Sequence, residues 1–300
     1  MTNDFTFAVL FFKNFLLIII TLGFYYPWAK TELIKYYTKV TFFNNSNFKF
    51  SGNPREIFKS YIIIVLFFIP YTFLITSITS KNSLFQIITL SAFYLTSLIL
   101  IPLIIHGFVQ CRTSNTHWKG VYFKYLGDKF EFLWKYLTGI ILTIFTLEIY
   151  SSWFQVDLQK YIISHLRFGN LSFNFTRKGD TLFLINLKFL LLFPITLGIY
   201  TFWYFKNLLE FYIDSIEVTQ DGKQTSLKIT LQIGDVFQLM TTNFLLIILT
   251  LGIATPWVIV RTYTFIFNFL EIAPDLNVNA IQQTNYNNNT NQGFLDLDLV

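Results

Sequence analysis

Long apolar runs alternate with short polar segments along the whole chain. About 20 apolar residues cross the hydrocarbon core of a bilayer. Six runs reach that length, at residues 5–28, 58–79, 84–108, 130–154, 182–204 and 236–257, the sixth continuing as apolar helix to about Leu270. In the polar segments, alternation of period two in FKF (48–50), VYFKY (121–125), LSFNF (171–175) and LKITLQI (227–233) predicts short strands with one apolar face. Irregular loop is the alternative reading of these runs. Turn residues precede each: NNSN at 44–47, Lys119-Gly120, Gly169-Asn170 and Gln220-Asp221-Gly222. Each run then stops at a glycine and an Asn or Asp: Gly52-Asn53, Gly127-Asp128, Gly179-Asp180 and Gly234-Asp235. With Glu56, Glu131 and Gln238 three residues past three of these caps, the pattern is close to a capping box that opens the next helix. Pro54 fits the first helical position, where its missing N–H costs nothing.

Four apolar runs end in related phrases: TLGFYYPW at 21–28, TLEIYSSW at 146–153, TLGIYTFW at 196–203 and TLGIATPW at 250–257. The first and last agree at 11 of 15 positions over 14–28 and 243–257, including Asn, Thr, Gly, Pro and Trp, which apolar bias does not explain. The unit is therefore an internal repeat of strand pair, cap, apolar helix and closing phrase. Gly23, Gly198 and Gly252 are placed to end a helix in a left-handed conformation. Pro27 and Pro256 are placed to start another. Trp28, Trp203 and Trp257, with Tyr25 and Tyr26, favour a membrane–water boundary, and Lys30 and Arg261 suit the headgroups beyond it. The phrase reads as an interfacial turn followed by an amphipathic helix lying in the membrane surface, at 29–40 and again at 205–216. A single helix kinked at Pro27 is the rival reading. Glu148 in place of glycine, and Phe202 in place of proline, put the sharp turn in doubt in the second and third copies.

Composition strengthens the membrane reading. The 300 residues are 53% apolar and only 13% charged, with 37 Phe and a mean hydropathy of +0.50, against about 25% charged residues in soluble domains. The net charge of +5 fits Lys and Arg in cytoplasm-facing loops better than a nucleic-acid surface, for which no motif stands out. The lone Cys111 excludes an internal disulfide. The first apolar run follows Asp4 rather than basic residues and ends at no small-x-small site, so it reads as a retained span, not a cleaved signal. Residues 273–300 are Asn/Gln-rich, carry no Lys or Arg, and are expected to be a disordered tail.

TLGFYYPWAK with KYYTKVTF and FKFSG, then CRTSNTHWKGVYFKYLG, and finally TLGIATPWVIVRT resemble the YjgN-like family, bacterial inner-membrane proteins built on a domain of unknown function. The resemblance covers nearly the whole chain apart from the tail. It implies a multi-pass protein of the bacterial inner membrane and transfers no catalytic residue.

The expected fold is mainly α and integral to the membrane: about six transmembrane helices with short β-hairpins and interfacial amphipathic helices between spans, over a membrane domain at 1–272. Six crossings put segments 29–57, 109–129 and 206–236 on one side with 12 Lys or Arg, and the remaining segments with both termini on the other with 5. That orientation makes the first side cytoplasmic. It leaves a conflict, because segment 155–181 resembles the strand segments of the first side yet falls on the second. Either the units alternate in orientation, as in inverted repeats, or one span is miscounted.

Polar groups within the runs are the candidate functional residues, because they are costly in hydrocarbon. Glu148 is a possible proton or cation site, or an interfacial carboxylate reaching water. Asn14 and Asn243 occupy equivalent places and Lys188 lies near that place; they join helices, line a polar path or, for Lys188 and Lys13, snorkel to the surface. His106, His117 and His165 are far apart, and no HExxH, CxxC, GxSxG or phosphate-binding loop is present. No enzyme, metal or cofactor is therefore expected. The expected partners are the lipid bilayer and either a second copy or another membrane protein. Two roles remain: binding or movement of a small solute, ion or lipid, or a structural, partner-binding platform. No substrate or reaction is legible in the sequence.

Overall fold

The computed structural model describes residues 4–58, 61–62, 65, 83–272 and 276–283. It separates into two compact units, one of residues up to Leu16 with Gly139–Gln283, the other Leu17–Thr138. Helices α1 (Asp4–Ile20), α2 (Tyr26–Val40), α3 (Ser83–Ser114), α4 (Lys129–Phe145), α5 (Ser151–Ser164), α6 (Gly179–Ile195), α7 (Thr201–Asp214), α8 (Ile233–Leu249) and α9 (Thr255–Asn268) carry most of the chain. The strands are β1 (Phe42–Phe43), β2 (Ser46–Phe50), β3 (Thr116–Trp118), β4 (Val121–Tyr125), β5 (Leu166–Phe168), β6 (Leu171–Phe175), β7 (Ile216–Gln220), β8 (Lys223–Ile229) and β9 (Leu270–Ile272).

The six-span expectation is overturned. Among the described residues one helix is long and apolar enough to cross a membrane, over Leu90–Ser114 within α3. That helix contains the run at 84–108. The runs at 5–28, 130–154, 182–204 and 236–257 each hold one helix, a break near the end of the run and the first residues of the next helix: α1/α2, α4/α5, α6/α7 and α8/α9. Most of the run at 58–79 lies outside the described residues. A hydropathy window averages over the break, because the connecting residues are as apolar as the helices they join.

The alternating runs are strands. β4 and β6 match VYFKY and LSFNF in full, β2 contains FKF, and β8 begins four residues before LKITLQI and ends at Ile229. Every described pairing is antiparallel. In one unit β1–β4 pair in sequence, with Phe50 opposite Thr116. In the other β5–β9 do the same, with Phe175 opposite Ile216 and Ile229 opposite Leu270. Asn44 and Asn45, Lys119 and Gly120, and Asp221 and Gly222 all have positive φ, the backbone that two-residue turns need to match strand twist.

These registers remove the parity conflict. β6 runs into α6, and β7, its neighbour in the sheet, follows α7. The chain leaves the sheet through about 25 Å of helix and returns to it. Segments 155–181 and 206–236 therefore lie together instead of on opposite sides. β8 and β9 bracket α8 and α9 in the same way.

The sheet of this unit is covered by the amphipathic returning helices. Phe175, Val156, Leu182 and Phe211 form one buried cluster; Ile229, Leu231 and Val236 form a second, with Leu209, Ile213 and Phe269 packed on it. The amphipathic helices expected on the membrane surface are thus inner-layer elements, with Phe211 fully buried.

Two of the four expected caps are present. Asp128 Oδ1 accepts from the N–H groups of Phe130 and Glu131 at 2.9 and 2.8 Å, and Asn53 Oδ1 from Arg55 N at 3.0 Å. α6 and α8 instead start two and three residues early, after Lys178 and Gln232, which places Asp180 and Asp235 inside the first turn. Asp180 there accepts a 2.8 Å bond from Trp153 Nε1. At the other end, residues 276–283 are held against the strands: Gln220 exchanges two bonds with the Asn277 backbone, at 3.0 and 2.9 Å. The rest of the expected tail at 273–300 lies outside the described residues.

Candidate functional site: the apolar helical turns

The four phrases adopt one turn. Leu22, Leu147, Leu197 and Leu251 have φ of 48°, 50°, 51° and 50°, and the next residues, Gly23, Glu148, Gly198 and Gly252, have φ of 92°, 68°, 87° and 87°. In each, the second of these N–H groups reaches back five residues: Gly23 to Ile18 O, Glu148 to Thr143 O, Gly198 to Phe193 O and Gly252 to Ile247 O, at 2.7–2.9 Å. The preceding leucine N–H bonds three residues back at 3.1–3.3 Å. This is a Schellman helix end, with leucine at the left-handed position that glycine normally fills. Glu148 and Phe202 do not abolish the turn; Glu148 takes the glycine conformation.

The threonine of each phrase completes it. The hydroxyls of Thr21, Thr146, Thr196 and Thr250 donate to Leu17, Leu142, Leu192 and Leu246 O at 2.6–2.8 Å. They accept from the N–H groups of Tyr25, Tyr150, Tyr200 and Ala254 at 2.9–3.0 Å. Each hydroxyl thus ends one helix and caps the next. From the threonine to the fifth residue beyond it, every backbone N–H of all four turns has an internal partner. Pro27 and Pro256, at the start of α2 and α9, have none to satisfy. The T-L pair that recurs in all four phrases is the sequence signal of this turn.

The tips have their N–H groups satisfied within and are apolar without. Leu22, Leu147, Leu197 and Leu251 are 89, 87, 94 and 93% exposed, and Ile20, Phe145, Ile195 and Leu249 before them are exposed as well. Behind each tip the aromatic residues stack: Tyr25 on Trp28, Tyr150 on Trp153 and Tyr200 on Trp203, with centroids 6.2–6.3 Å apart and planes within 16°. Trp257, preceded by Ala254 in place of tyrosine, instead lies 6.4 Å from Phe12. The hydroxyls of Tyr25 and Tyr150 point down the returning helix to Glu32 and Asp157, at 3.3 and 3.2 Å.

The polar candidates separate into two groups. Glu148 and Lys188 are exposed on their hairpins. Asn14 is 2% exposed, with neither side-chain polar atom bonded. Asn243 Nδ2 donates to Thr262 Oγ1 at 3.1 Å, joining α8 to α9, while its Oδ1 has no partner. A network the sequence did not suggest ties three helices: Asn186 Nδ2 donates to Ser152 Oγ at 3.0 Å, and the Tyr204 hydroxyl to Asn186 Oδ1 at 2.9 Å. The histidines are separately engaged, with His106 Nε2 3.0 Å from Gly127 O and His165 Nδ1 2.7 Å from Tyr161 O. His117, in β3, is held below the usual histidine range by burial and then by the Lys49 ammonium. Among the described residues no three His, Cys, Asp or Glu come together as metal ligands.

The fold and the turns define a protein of paired antiparallel strands joined by apolar helical hairpins. The chain belongs to DUF898, the YjgN-like family of bacterial proteins of unknown function, over residues 2–206 and 216–297. No curated protein and no solved structure matches it.

Proposed function

We propose that this chain is a non-enzymatic protein of the bacterial cytoplasmic membrane. Its apolar helical turns lie in lipid and hold its strands at the membrane surface as a structural platform. The observation that carries this reading is leucine in a left-handed conformation, almost wholly exposed, at four turns whose N–H groups need no solvent. In water that choice is doubly poor. Left-handed leucine costs about 1–2 kcal/mol, and glycine or asparagine would avoid the strain while presenting less apolar surface. In hydrocarbon it is favourable, since the leucine leaves water and the turn exposes no unsatisfied donor. The long helix α3 adds a segment able to cross. Flotation of the full chain with vesicles, compared with a variant carrying Asp at Leu22, Leu197 and Leu251, tests this. The wild-type chain should float and resist alkaline extraction, and the triple variant should lose most of that binding. A triple variant that floats equally well sinks the reading.

Asn14 favours a second role, binding of a small polar solute. A buried amide with no partner costs about 1–3 kcal/mol, a cost that a bound donor or acceptor would remove. If Asn14 is only a packing residue, Asn14→Leu stabilises the protein in micelles. A solute that raises the melting temperature of the wild-type chain but not of Asn14→Leu would establish the site; no such shift across a broad panel of solutes removes it.

A further inference from the structure

We infer that the α6–α7 and α8–α9 hairpins enter a single leaflet and turn back at its inner edge, with basic residues on their limbs seated among anionic lipid headgroups. This rests on the membrane reading above and adds depth, side and headgroup chemistry to it. Residues 189–205 and 236–260 contain no charged side chain. The windows close on Lys188 and Lys206 in one hairpin and on Asp235 and Arg261 in the other. Lys188 and Lys206 each lie about nine residues from Leu197, and Arg261 about ten from Leu251, so the shorter charge-free limb of each hairpin reaches roughly 13–15 Å at about 1.5 Å per residue, while the α8 limb back to Asp235 reaches about 24 Å. The hydrocarbon core is about 30 Å thick, twice the shorter reach.

A hairpin crossing the whole core would carry Lys188 to the bilayer centre and deliver Leu197, Ile195 and Ile199 into water on the far side. Both consequences are unfavourable. A half-depth hairpin puts the lysines at the headgroups and the leucines at the midplane. The backbone requires the return in any case, because β6 and β7, and β8 and β9, are hydrogen-bonded neighbours that bracket the two hairpins. The sequence of the first hairpin has the same form, charge-free from 14 to 29 between Lys13 and Lys30. Across the three, five of the six closing charges are basic, which matches an anionic headgroup layer; Lys206 is already paired with Glu210 at 2.7 Å, so Lys188 and Arg261 carry the headgroup contact of these two hairpins. The α4–α5 turn differs. Glu148 stands at its tip, and an exposed carboxylate there keeps that turn near the headgroups.

Single cysteines test this in a Cys111→Ser chain reconstituted into sealed vesicles of phosphatidylcholine with one quarter phosphatidylglycerol. Cysteine replaces Leu197, Leu251, Lys188 or, in the β7–β8 turn, Lys223. Bimane at 197 and 251 should be quenched most by a nitroxide at the end of the acyl chain, and bimane at 188 by a nitroxide at the headgroup. The tip thiols should resist an impermeant maleimide on both sides until detergent is added, while the thiol at 223 reacts. Tip thiols that react only on the face opposite 223 show full crossing, and overturn this inference while leaving the membrane reading intact. A chain that does not float, with tip thiols reactive from outside, overturns both. Phosphatidylglycerol should strengthen binding at least tenfold over pure phosphatidylcholine, and Lys13→Glu with Lys188→Glu should erase most of that gain. Equal binding to both lipids overturns the headgroup assignment.

Discussion

Replacing Leu197 by glycine and by alanine separates the two physical claims made for the turn. Both variants lose the leucine side chain, so both lose nearly the same apolar contact with lipid or micelle. Only glycine removes the steric penalty of the left-handed backbone at φ 51°. That penalty is about 1–2 kcal/mol, and the greater freedom of glycine in the unfolded chain returns about 0.4–1 kcal/mol of it. Glycine should therefore exceed alanine by about 1 kcal/mol at this position. Within a helix the order reverses, with glycine about 1 kcal/mol below alanine, so Leu187 in the middle of α6 serves as the internal control. Unfolding in mixed micelles, followed by far-ultraviolet circular dichroism, gives both differences. Against the wild type, either Leu197 variant should weaken vesicle binding about 10- to 30-fold, the loss of roughly 1.5–2 kcal/mol for a buried leucine shortened to alanine or glycine. Alanine equal to or better than glycine at 197 would refute the turn geometry. Unchanged vesicle binding would refute the lipid contact.

Thr196→Val removes the hydroxyl that caps α7 and leaves Tyr200 N–H without its acceptor. It should cost about 1–2 kcal/mol in the same unfolding assay, whereas Thr138→Val, whose hydroxyl bonds only carbonyls of its own helix at 2.8 and 3.1 Å, should be near neutral. Glu148→Gly relieves a left-handed residue and removes a carboxylate from an apolar tip; a gain of about 1 kcal/mol in micelles with tighter vesicle binding is expected, and a loss of both would assign Glu148 a role of its own. His117 sets a pH dependence. Its folded pKa lies below the unfolded value of 6.5, so the unfolded chain takes up the proton first as pH falls. Its stabilising contribution is complete above about pH 6.5 and declines as pH drops towards the folded pKa. Melting temperature measured from pH 8 to 5 should fall more steeply in the wild type than in His117→Gln, and parallel curves would count against it.

The strands were legible because alternation is a local signal: Val121–Tyr125 and Leu171–Phe175 could be read to the residue. Lys119-Gly120 and Asp221-Gly222 announced their turns through the residues that tolerate positive φ. The helical breaks were legible only in part. Gly23, Gly198 and Gly252 marked where a helix stops, and Pro27 and Pro256 where one restarts. The leucine before each glycine reads as helix by propensity and as membrane span by hydropathy, so nothing local distinguishes an interfacial turn from a hairpin tip. The distinction lies in pairings between residues about forty apart, such as Phe175 with Ile216, which no window along the chain contains. The buried network of Ser152, Asn186 and Tyr204 was hidden for the same reason.

Glu148 shows what the turn requires and what it tolerates. A glycine-to-glutamate exchange at a left-handed position should favour another conformation if glycine were the main determinant. Instead the α4–α5 turn keeps every hydrogen bond of its three counterparts, including Thr146 Oγ1 to Leu142 O and Tyr150 N to Thr146 Oγ1. The bonds made by the threonine and by the five-residue reach-back therefore outweigh the strain of two consecutive left-handed non-glycine residues, about 2–4 kcal/mol. All four phrases share threonine, leucine and the closing tryptophan, whereas glycine and proline vary, and of the shared three only the threonine side chain bonds the turn's backbone. It follows that the hydroxyl, not the glycine, fixes the turn, and that a Thr146→Val substitution should disrupt the α4–α5 turn more than Thr196→Val disrupts α6–α7, because Gly198 lowers the strain that the remaining bonds must hold. Hydrogen exchange at the Glu148 and Gly198 amides, measured in the two variants, ranks them directly; equal or reversed loss of protection would return the controlling role to glycine.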